Sequence, residues 1–515
     1  MMTNPAAAMR LLITYVICIP VAGFLGYLLT DPMDYSTMGF IGIIAALLIS
    51  PIFIRWHYPM MIFGLNCPMI MFFIFTRPPL WEVMAVITLT ISLVERALSS
   101  ERRFISVPSL TWPLFYIAAM TYMTAELTGG ISLHMLGGSG GGGRKYLIVF
   151  FGIAAYFALT SRVIPKEHRK LFICLYFLSA LPAFVSDLFP FLPKPFSYIN
   201  LFFPPSGAGG GAEGSVELGT TRLGACATTA GVLANFMLVR YGLRGVFTGG
   251  SVFRVPLFLG LLLLTMLGGF RNVIFFYAMA IPLLFFLEKL YKTSLLFGFI
   301  IGGLLCGSLL VPFGPHLPYT FQRSLSFIPL VHWDASAKYS AEDSTRWRLE
   351  MWAQLWPRVP SYLLLGKGCS LSEEDFQSMG SGAFAGTGAQ MDASQTSLAI
   401  SGDYHSGPLS TLIPFGLWGG IGILWLMAAS TRVIYRNYRY GDPELRTVNA
   451  FLLAGQLSHV IGFFFIFGAF VNDVGTFAMT AGFSIALNQG VCGPKPAPAV
   501  VQRFKPALVG TPQPV

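Results

Sequence analysis

The sequence predicts an all-α integral membrane protein of about fourteen transmembrane helices, and three observations carry that prediction. Only 11% of the 515 residues are charged while 54% are hydrophobic, with a mean hydropathy of +0.66. An ordinary soluble domain uses about 25% charged residues to cover its surface. The apolar residues come in continuous runs, as in LLITYVICIPVAGFLGYLL over 11–29, not in the period-2 alternation of a membrane β-barrel. The cationic residues concentrate in alternate gaps between those runs. A cytosolic enzyme and a disordered chain are thereby excluded. The net charge of +10 is a question of which loops hold it, so the expected partner is the lipid bilayer and not nucleic acid.

A span needs about 20 apolar residues. Candidate runs are 11–30, 37–54, 58–76, 80–95, 109–128, 146–160, 171–188, 223–239, 255–269, 272–288, 294–312, 408–430, 447–469 and 472–488. The first follows Arg10, but its apolar stretch is long and no small-residue cleavage site follows, so it reads as an anchor and not a signal peptide. With the N-terminus in the cytoplasm, 21 of the 33 Lys+Arg fall in inside segments and 12 outside, six of the latter in one long loop. This division predicts an even number of spans, with both termini cytoplasmic.

The expected organisation is N-terminal transmembrane helices over 1–220, further spans over 221–312, an extracytoplasmic loop over 313–407, C-terminal spans over 408–490 and a flexible, proline-rich cytoplasmic tail over 491–515. A smaller outside loop, rich in Gly and Pro, covers 189–221. The 313–407 loop holds four tryptophans, which argues for folded, membrane-skimming structure. Asp343-Ser344-Thr345 can cap a helix running to about Trp356 and ended by Pro357. On that helix Leu349, Trp352 and Trp356 share a face, with Arg348 near it.

Charge at the edge of a bilayer is expensive, so residues placed there are functional candidates. Arg222 opens the eighth expected span, Arg271 sits at the outer turn between the ninth and tenth, Arg346 and Arg348 lie in the long loop, and His405 stands at the outer mouth of the twelfth. All fall on one predicted side. Several guanidiniums at one face suit a pyrophosphate, because Arg pairs with phosphate oxygens through two parallel hydrogen bonds. A histidine can take a proton from an attacking hydroxyl, and Asp403 can orient it. The combination fits transfer of a group from a lipid pyrophosphate to a hydroxyl acceptor outside the cytoplasm. The leaving anion would be held by arginines, so no metal or cofactor is called for. Seven cysteines lie singly, with no Cys/His ligand spacing. GGSGGGGRKY (137–146) lacks the P-loop pattern and reads as a flexible turn. Taken singly, each candidate has a plainer reading: Arg222 and Arg271 as anchors that snorkel to headgroups, Arg346 and Arg348 as the solvated face of a loop helix, His405 as structural, the tryptophans as an interfacial belt.

Three stretches add a resemblance: TRLGACATTAGVLANFML (221–238), RLEMWAQLWPRVPSYLLLGKGCS (348–370) and DYHSGPLSTLIPFGLWGGIGILW (403–425). Their Arg-x-x-Gly, Arg-x-x-x-Trp and His-to-span patterns, in this order around a long outer loop, make residues 221–470 resemble the O-antigen ligase and polymerase family of bacterial membrane glycosyltransferases. The resemblance implies a glycosyltransferase-C-like bundle in the bacterial inner membrane and an undecaprenyl-pyrophosphate-linked glycan donor. It implies a glycolipid, glycan or protein hydroxyl as acceptor, His405 as base, and Arg222, Arg271 and Arg348 on the pyrophosphate, with inverting, metal-independent transfer. The chain departs from the pattern with His405-Ser406 in place of His-Asn, with Phe270-Arg271 in place of Ser-Arg, and with two more spans than the usual twelve or so. Arg77 then takes an early outer-edge position that is often Arg in the family. Ligase and polymerase share these motifs and stay open. A transporter or flippase of lipid-linked sugars, and a non-catalytic component of a polysaccharide-export assembly, are the alternatives.

Overall fold

The computed structural model describes residues 15–27 (17 and 25 apart), 35–99 (75 apart), 104–128, 142–188, part of 193–204, 223–370, 400 and 402–494. Arg222, most of the 189–221 loop, the glycine run before Gly142, and nearly all of the tail lie outside the described residues. The chain divides into Met1–Met60 and Met61–Val515. Among the described residues there is no strand, only an isolated bridge between Ile70 and Pro79. Among the described residues six helices are long and apolar enough to cross a membrane: Gly143–Thr160, Lys166–Leu188, Leu295–His316, Gly407–Tyr440, Pro443–Phe465 and Phe470–Leu487.

The expected spans 37–54 and 58–76 are not two helices. One helix, α1 (Tyr35–Gly64), runs through the first and into the second, and 65–79 is turns and extended chain among its described residues. The reason is local: Pro68, Pro78 and Pro79 remove backbone donors and clash with the preceding turn, so the apolar run cannot continue as a helix. The run 58–76 is therefore not a helix of its own among the described residues.

From residue 80 the apolar runs and the helices coincide closely. They are α2 (Leu80–Leu98), α3 (Pro108–Leu127), α4 (Gly143–Thr160), α5 (Arg169–Leu178, with short turns continuing to Leu188), α6 (Gly224–Phe247), α7 (Arg254–Leu264), α8 (Arg271–Leu287) and α9 (Leu295–Phe313). The long loop contributes α10 (Tyr319–Leu325) and α11 (Ala335–Leu355). The C-terminal helices are α12 (Gly407–Tyr440), α13 (Arg446–Phe465) and α14 (Phe470–Leu487).

α4 and α14 are parallel neighbours at the core of the bundle: Gly152 meets Gly475, and two turns further on Leu159 meets Gly482. α2 lies along α4 with the same direction, joined by Arg144–Glu82 (3.4 Å) at one end and Arg162–Glu95 at the other. Polar side chains join α12, α13 and α14 where their backbones run close. Gln456 donates to Ser430 Oγ (2.8 Å), Asn437 to Ser484 Oγ (3.0 Å) and Asn449 to Asn488 Oδ1 (2.9 Å). In a low-dielectric interior such groups must be paired.

The loop helix α11 differs from its sequence reading in two ways. Its cap is Asp334, nine residues before Asp343; the Asp334 carboxylate accepts from the N–H groups of Ser336 (2.9 Å) and Ala337 (3.2 Å). The Ser336 hydroxyl, which also donates to this carboxylate, and then those N–H groups hold the Asp334 carboxyl below its usual pKa. The expected cap residues lie inside the helix, where the Thr345 hydroxyl bonds back to the Ala341 carbonyl. The buried face is Trp347, Met351 and Leu355; Leu349 and Trp356 are exposed and Trp352 is partly buried. A face spaced i, i+4, i+8 won over i, i+3, i+7 because the longer helix packs against the start of α12 through Ile400, Tyr404, Leu409 and Ile413. Asp334→Ala is expected to lower stability by about 1 kcal/mol, read as a lower melting temperature of the detergent-solubilised protein.

Candidate functional site

The site forms where α8, α11 and the start of α12 meet. α12 is broken inside its apolar run. Gly416 has φ 63° and ψ −158°, two residues after Pro414. The backbone groups released by that break are taken up by the segment following α11: Lys367 N–H donates to the Ile413 carbonyl (2.7 Å), Gly368 N–H to Pro414 (3.0 Å), and Leu417 N–H to Leu363 (2.7 Å). Cys369 N–H then donates to the Tyr146 hydroxyl (2.7 Å), and the Ser370 hydroxyl to the Thr128 carbonyl (3.1 Å). The LLLGKG stretch is therefore a strap that ties the loop to α12, α3 and α4, and so fixes α11 over the bundle.

The N-terminal turn of α12 is locked in the same way. Ser410 Oγ donates to the carbonyls of Gly407 (2.9 Å) or Gly468 (3.3 Å) and accepts from Phe470 N–H (3.1 Å). This fixes the α13–α14 turn against the chain that leads into α12. His405, two residues before the helix, sits in the left-handed region with φ 49°, a conformation that costs a non-glycine residue of order 1 kcal/mol or more. Its ring is packed edge-on against Trp347 (centroids 5.7 Å) and at a tilt against Phe467 (4.9 Å). Trp352 Nε1 donates to the Tyr404 carbonyl (2.8 Å), pinning the residue before it.

Arg271 is the first residue of α8, and its Nη2 donates to the Ala341 carbonyl of α11 (2.9 Å). Ala341 is seven residues, two turns, before Arg348, so both residues lie on one side of α11. Arg323 braces the same place, donating to Ser340 Oγ and the Gly269 carbonyl (both 2.9 Å). Burial, chiefly, and then the Arg271 charge hold the Arg348 pKa below its ordinary value, while Asp403 opposes them. His405 is likewise held below its usual pKa, first by burial and also by Arg348, with Asp403 pulling the other way. The His405 Nδ1 faces Asp403 Oδ1 at 3.7 Å, outside hydrogen-bond reach. At neutral pH the imidazole is therefore largely neutral and basic.

Arg271, Arg348, Asp403 and His405 thus form one electrostatically connected group. Arg346 is exposed on the opposite side of α11. Arg77 is exposed in the 65–79 segment, itself with a left-handed backbone (φ 46°), and no described contact joins it to the group. Three residues at the site escaped the sequence reading. Trp347 and Phe467 frame His405, and Arg323 fixes the α8–α11 junction. Lys145, read only as the end of a glycine-rich turn, has its ammonium 3.4 Å from where a side chain at Gly402 would begin. No local pattern marks them, because each acts through a partner more than fifty residues away.

Trp347 Nε1, Arg348 Nε and His405 Nδ1 are buried with no hydrogen-bond partner among the described residues. An unmet buried donor costs roughly 1–3 kcal/mol. Two guanidiniums also repel each other, with one carboxylate to offset them. A bound anion with several oxygens relieves both costs at once, which is the chemical capability of this arrangement. The fold and site together define an all-helical chain with helices able to cross a membrane and a cationic, histidine-bearing group at one end of the bundle. No known protein family, curated protein or solved structure matches the chain.

Proposed function

We propose that this protein is a membrane glycosyltransferase that moves a glycan from a polyprenyl-pyrophosphate donor to a hydroxyl acceptor at the extracytoplasmic face. The observation that carries the reading is that Arg271 bonds to α11 two turns before Arg348, while Trp347, next to Arg348, packs on the His405 ring. An anion site and a proton acceptor are thereby side by side, as such a transfer requires. The motif resemblance of 221–470 to O-antigen ligases and polymerases supports the same reading.

In this mechanism Arg271 and Arg348 hold the diphosphate of the donor, with Arg222 as a further candidate from the sequence pattern. The acceptor hydroxyl oxygen attacks the anomeric carbon, the bond from that carbon to the phosphate oxygen breaks, and its electron pair leaves with the polyprenyl pyrophosphate. His405 takes the hydroxyl proton. The new bond forms opposite the leaving group, so the anomeric carbon inverts. The donor is an undecaprenyl-pyrophosphate-linked glycan in a bacterial inner membrane, and the acceptor a glycolipid, glycan or protein hydroxyl. Ligase and polymerase activities use the same groups. The positive-inside division places the 491–515 tail on the cytoplasmic side and His405 on the other.

The test is a transfer assay in reconstituted vesicles with a lipid-linked glycan donor. Loss of product in His405→Ala and Arg348→Ala, with Arg346→Ala near parental, is the expected result. Full activity in the first two removes the proposed roles. Donor flipping without transfer would establish the transporter reading instead.

A further inference from the structure

A second cationic site lies at the other end of the bundle. Helix α13 runs from Arg446 to Phe465, and twenty residues of α-helix separate its two ends by about 30 Å. The His405 site is at the Phe465 end. At the Arg446 end, the termini of α6, α8, α12 and α13 enclose a cavity of about 400 Å³ lined by Tyr241, Arg244, Glu288, Tyr438, Arg446 and Thr447, with Leu287 and Ala450 as its apolar part.

The cavity exists because α6 is broken. Gly242 has φ 65° and ψ 174°, and a Cβ there would lie 2.8 Å from Glu288 Oε1. The break frees the N–H groups of Leu243 and Arg244, and Glu288 takes both, one on each carboxylate oxygen (2.9 Å each). Glu288 is the one carboxylate among the lining residues, and its oxygens are committed to backbone. The Tyr438 hydroxyl is also committed, to the Leu287 carbonyl (2.7 Å). Nearby Arg254 is engaged by the carbonyls of Gly245 and Gly249 and by the Tyr241 ring. Among the described residues the guanidiniums of Arg244 and Arg446, both exposed, have no side-chain hydrogen bond and no ion pair within 4 Å, although the Glu288 carboxylate lies within electrostatic reach of both. Two guanidiniums at the mouth of a partly apolar cavity, facing one carboxylate whose oxygens already accept from backbone N–H groups, leave a net positive charge and free donors for an anion that accepts several hydrogen bonds.

We propose that this cavity binds a phosphate-bearing anion between Arg244 and Arg446, supplied by an anionic phospholipid headgroup or by phosphate in solution. The site is independent of the glycosyl-transfer reading. A headgroup source suits its position at a bundle end, where basic recesses between helices meet the lipid surface.

Native mass spectrometry of the purified, delipidated protein tests it, with phosphatidylglycerol, phosphatidylcholine and inorganic phosphate as probes. Parental protein is expected to retain phosphatidylglycerol over phosphatidylcholine. Arg244→Gln and Arg446→Gln are each expected to weaken that binding about five-fold, from roughly 1 kcal/mol per interfacial cation. Lys292→Gln, a charge loss outside the cavity lining, is expected to leave it unchanged. Arg244→Lys and Arg446→Lys keep the charge and guard against misfolding of the glutamine variants; they are expected to bind two- to three-fold more weakly. Binding of inorganic phosphate without selective lipid retention, lost in the same variants, identifies the soluble source. The proposal is overturned if neither probe binds selectively, or if Lys292→Gln weakens binding as much as the cavity variants do.

Discussion

Under the proposed glycosyl transfer, replacing Asp403 by asparagine is expected to move the acid limb of the pH profile to lower pH, and replacing Arg348 by glutamine to move it to higher pH. As the proposed base, His405 would work only when neutral, so the rate would rise as pH increases through its pKa. Burial and Arg348 hold that pKa below the ordinary value, and Asp403 raises it. Removing the carboxylate leaves the lowering causes unopposed, so His405 stays neutral to lower pH. Removing the guanidinium takes away one lowering cause, so protonation persists to higher pH. Arg348→Gln also loses an anion contact and lowers the rate at every pH, whereas His405→Ala removes the base and costs roughly 10²–10⁴-fold. The two shifts have opposite signs, which a loss of fold cannot imitate. Coincident profiles for both variants and the parent would remove His405 from the titrating step.

Gly416→Val is expected to disable the protein without touching any residue that faces substrate. A valine at φ 63° costs about 1–3 kcal/mol in backbone strain alone. Its Cβ would lie 2.6 Å from the Leu363 carbonyl and 3.0 Å from that of Tyr362, so the strap must move away from α12. The Leu417–Leu363 hydrogen bond goes with it, at roughly another 1 kcal/mol. The strap carries α11, and α11 carries Arg348 and Trp347. A melting temperature several degrees lower, faster proteolysis within 356–370 and loss of transfer are the expected results. A variant with parental melting and parental proteolysis would show that the strap does not hold the site together.

Much of the architecture is legible residue by residue. From Leu80 onward the apolar runs and the helices coincide because a lipid-facing helix must satisfy its backbone internally and expose only apolar side chains, a demand that composition records directly. Where prolines cluster, at Pro68, Pro78 and Pro79, hydropathy alone overstates the helix, since it scores side chains and not missing donors. The cap of α11 was misread because Asp343-Ser344-Thr345 and Asp334 are equally good local signals. Only packing against Tyr404 and Leu409 decides how long the helix is and which face is buried.

Arg271, Arg348, Asp403 and His405 can be chosen from the sequence because charge at a membrane edge is costly and therefore rare, so each such residue stands out against an apolar background. Their meeting cannot be chosen that way. It depends on Arg271 reaching the Ala341 carbonyl seventy residues away, and on a break at Gly416 whose freed carbonyls capture the strap. The Glu288–Gly242 junction beneath the second cavity is equally remote from any local pattern. Composition and hydropathy thus determined that this chain is a helical bundle with helices apolar enough to cross a membrane and with cations at its ends. The tertiary structure alone decided which cations share a site, because hydrogen bonds between distant backbone breaks, and not the spacing along any one helix, bring them together.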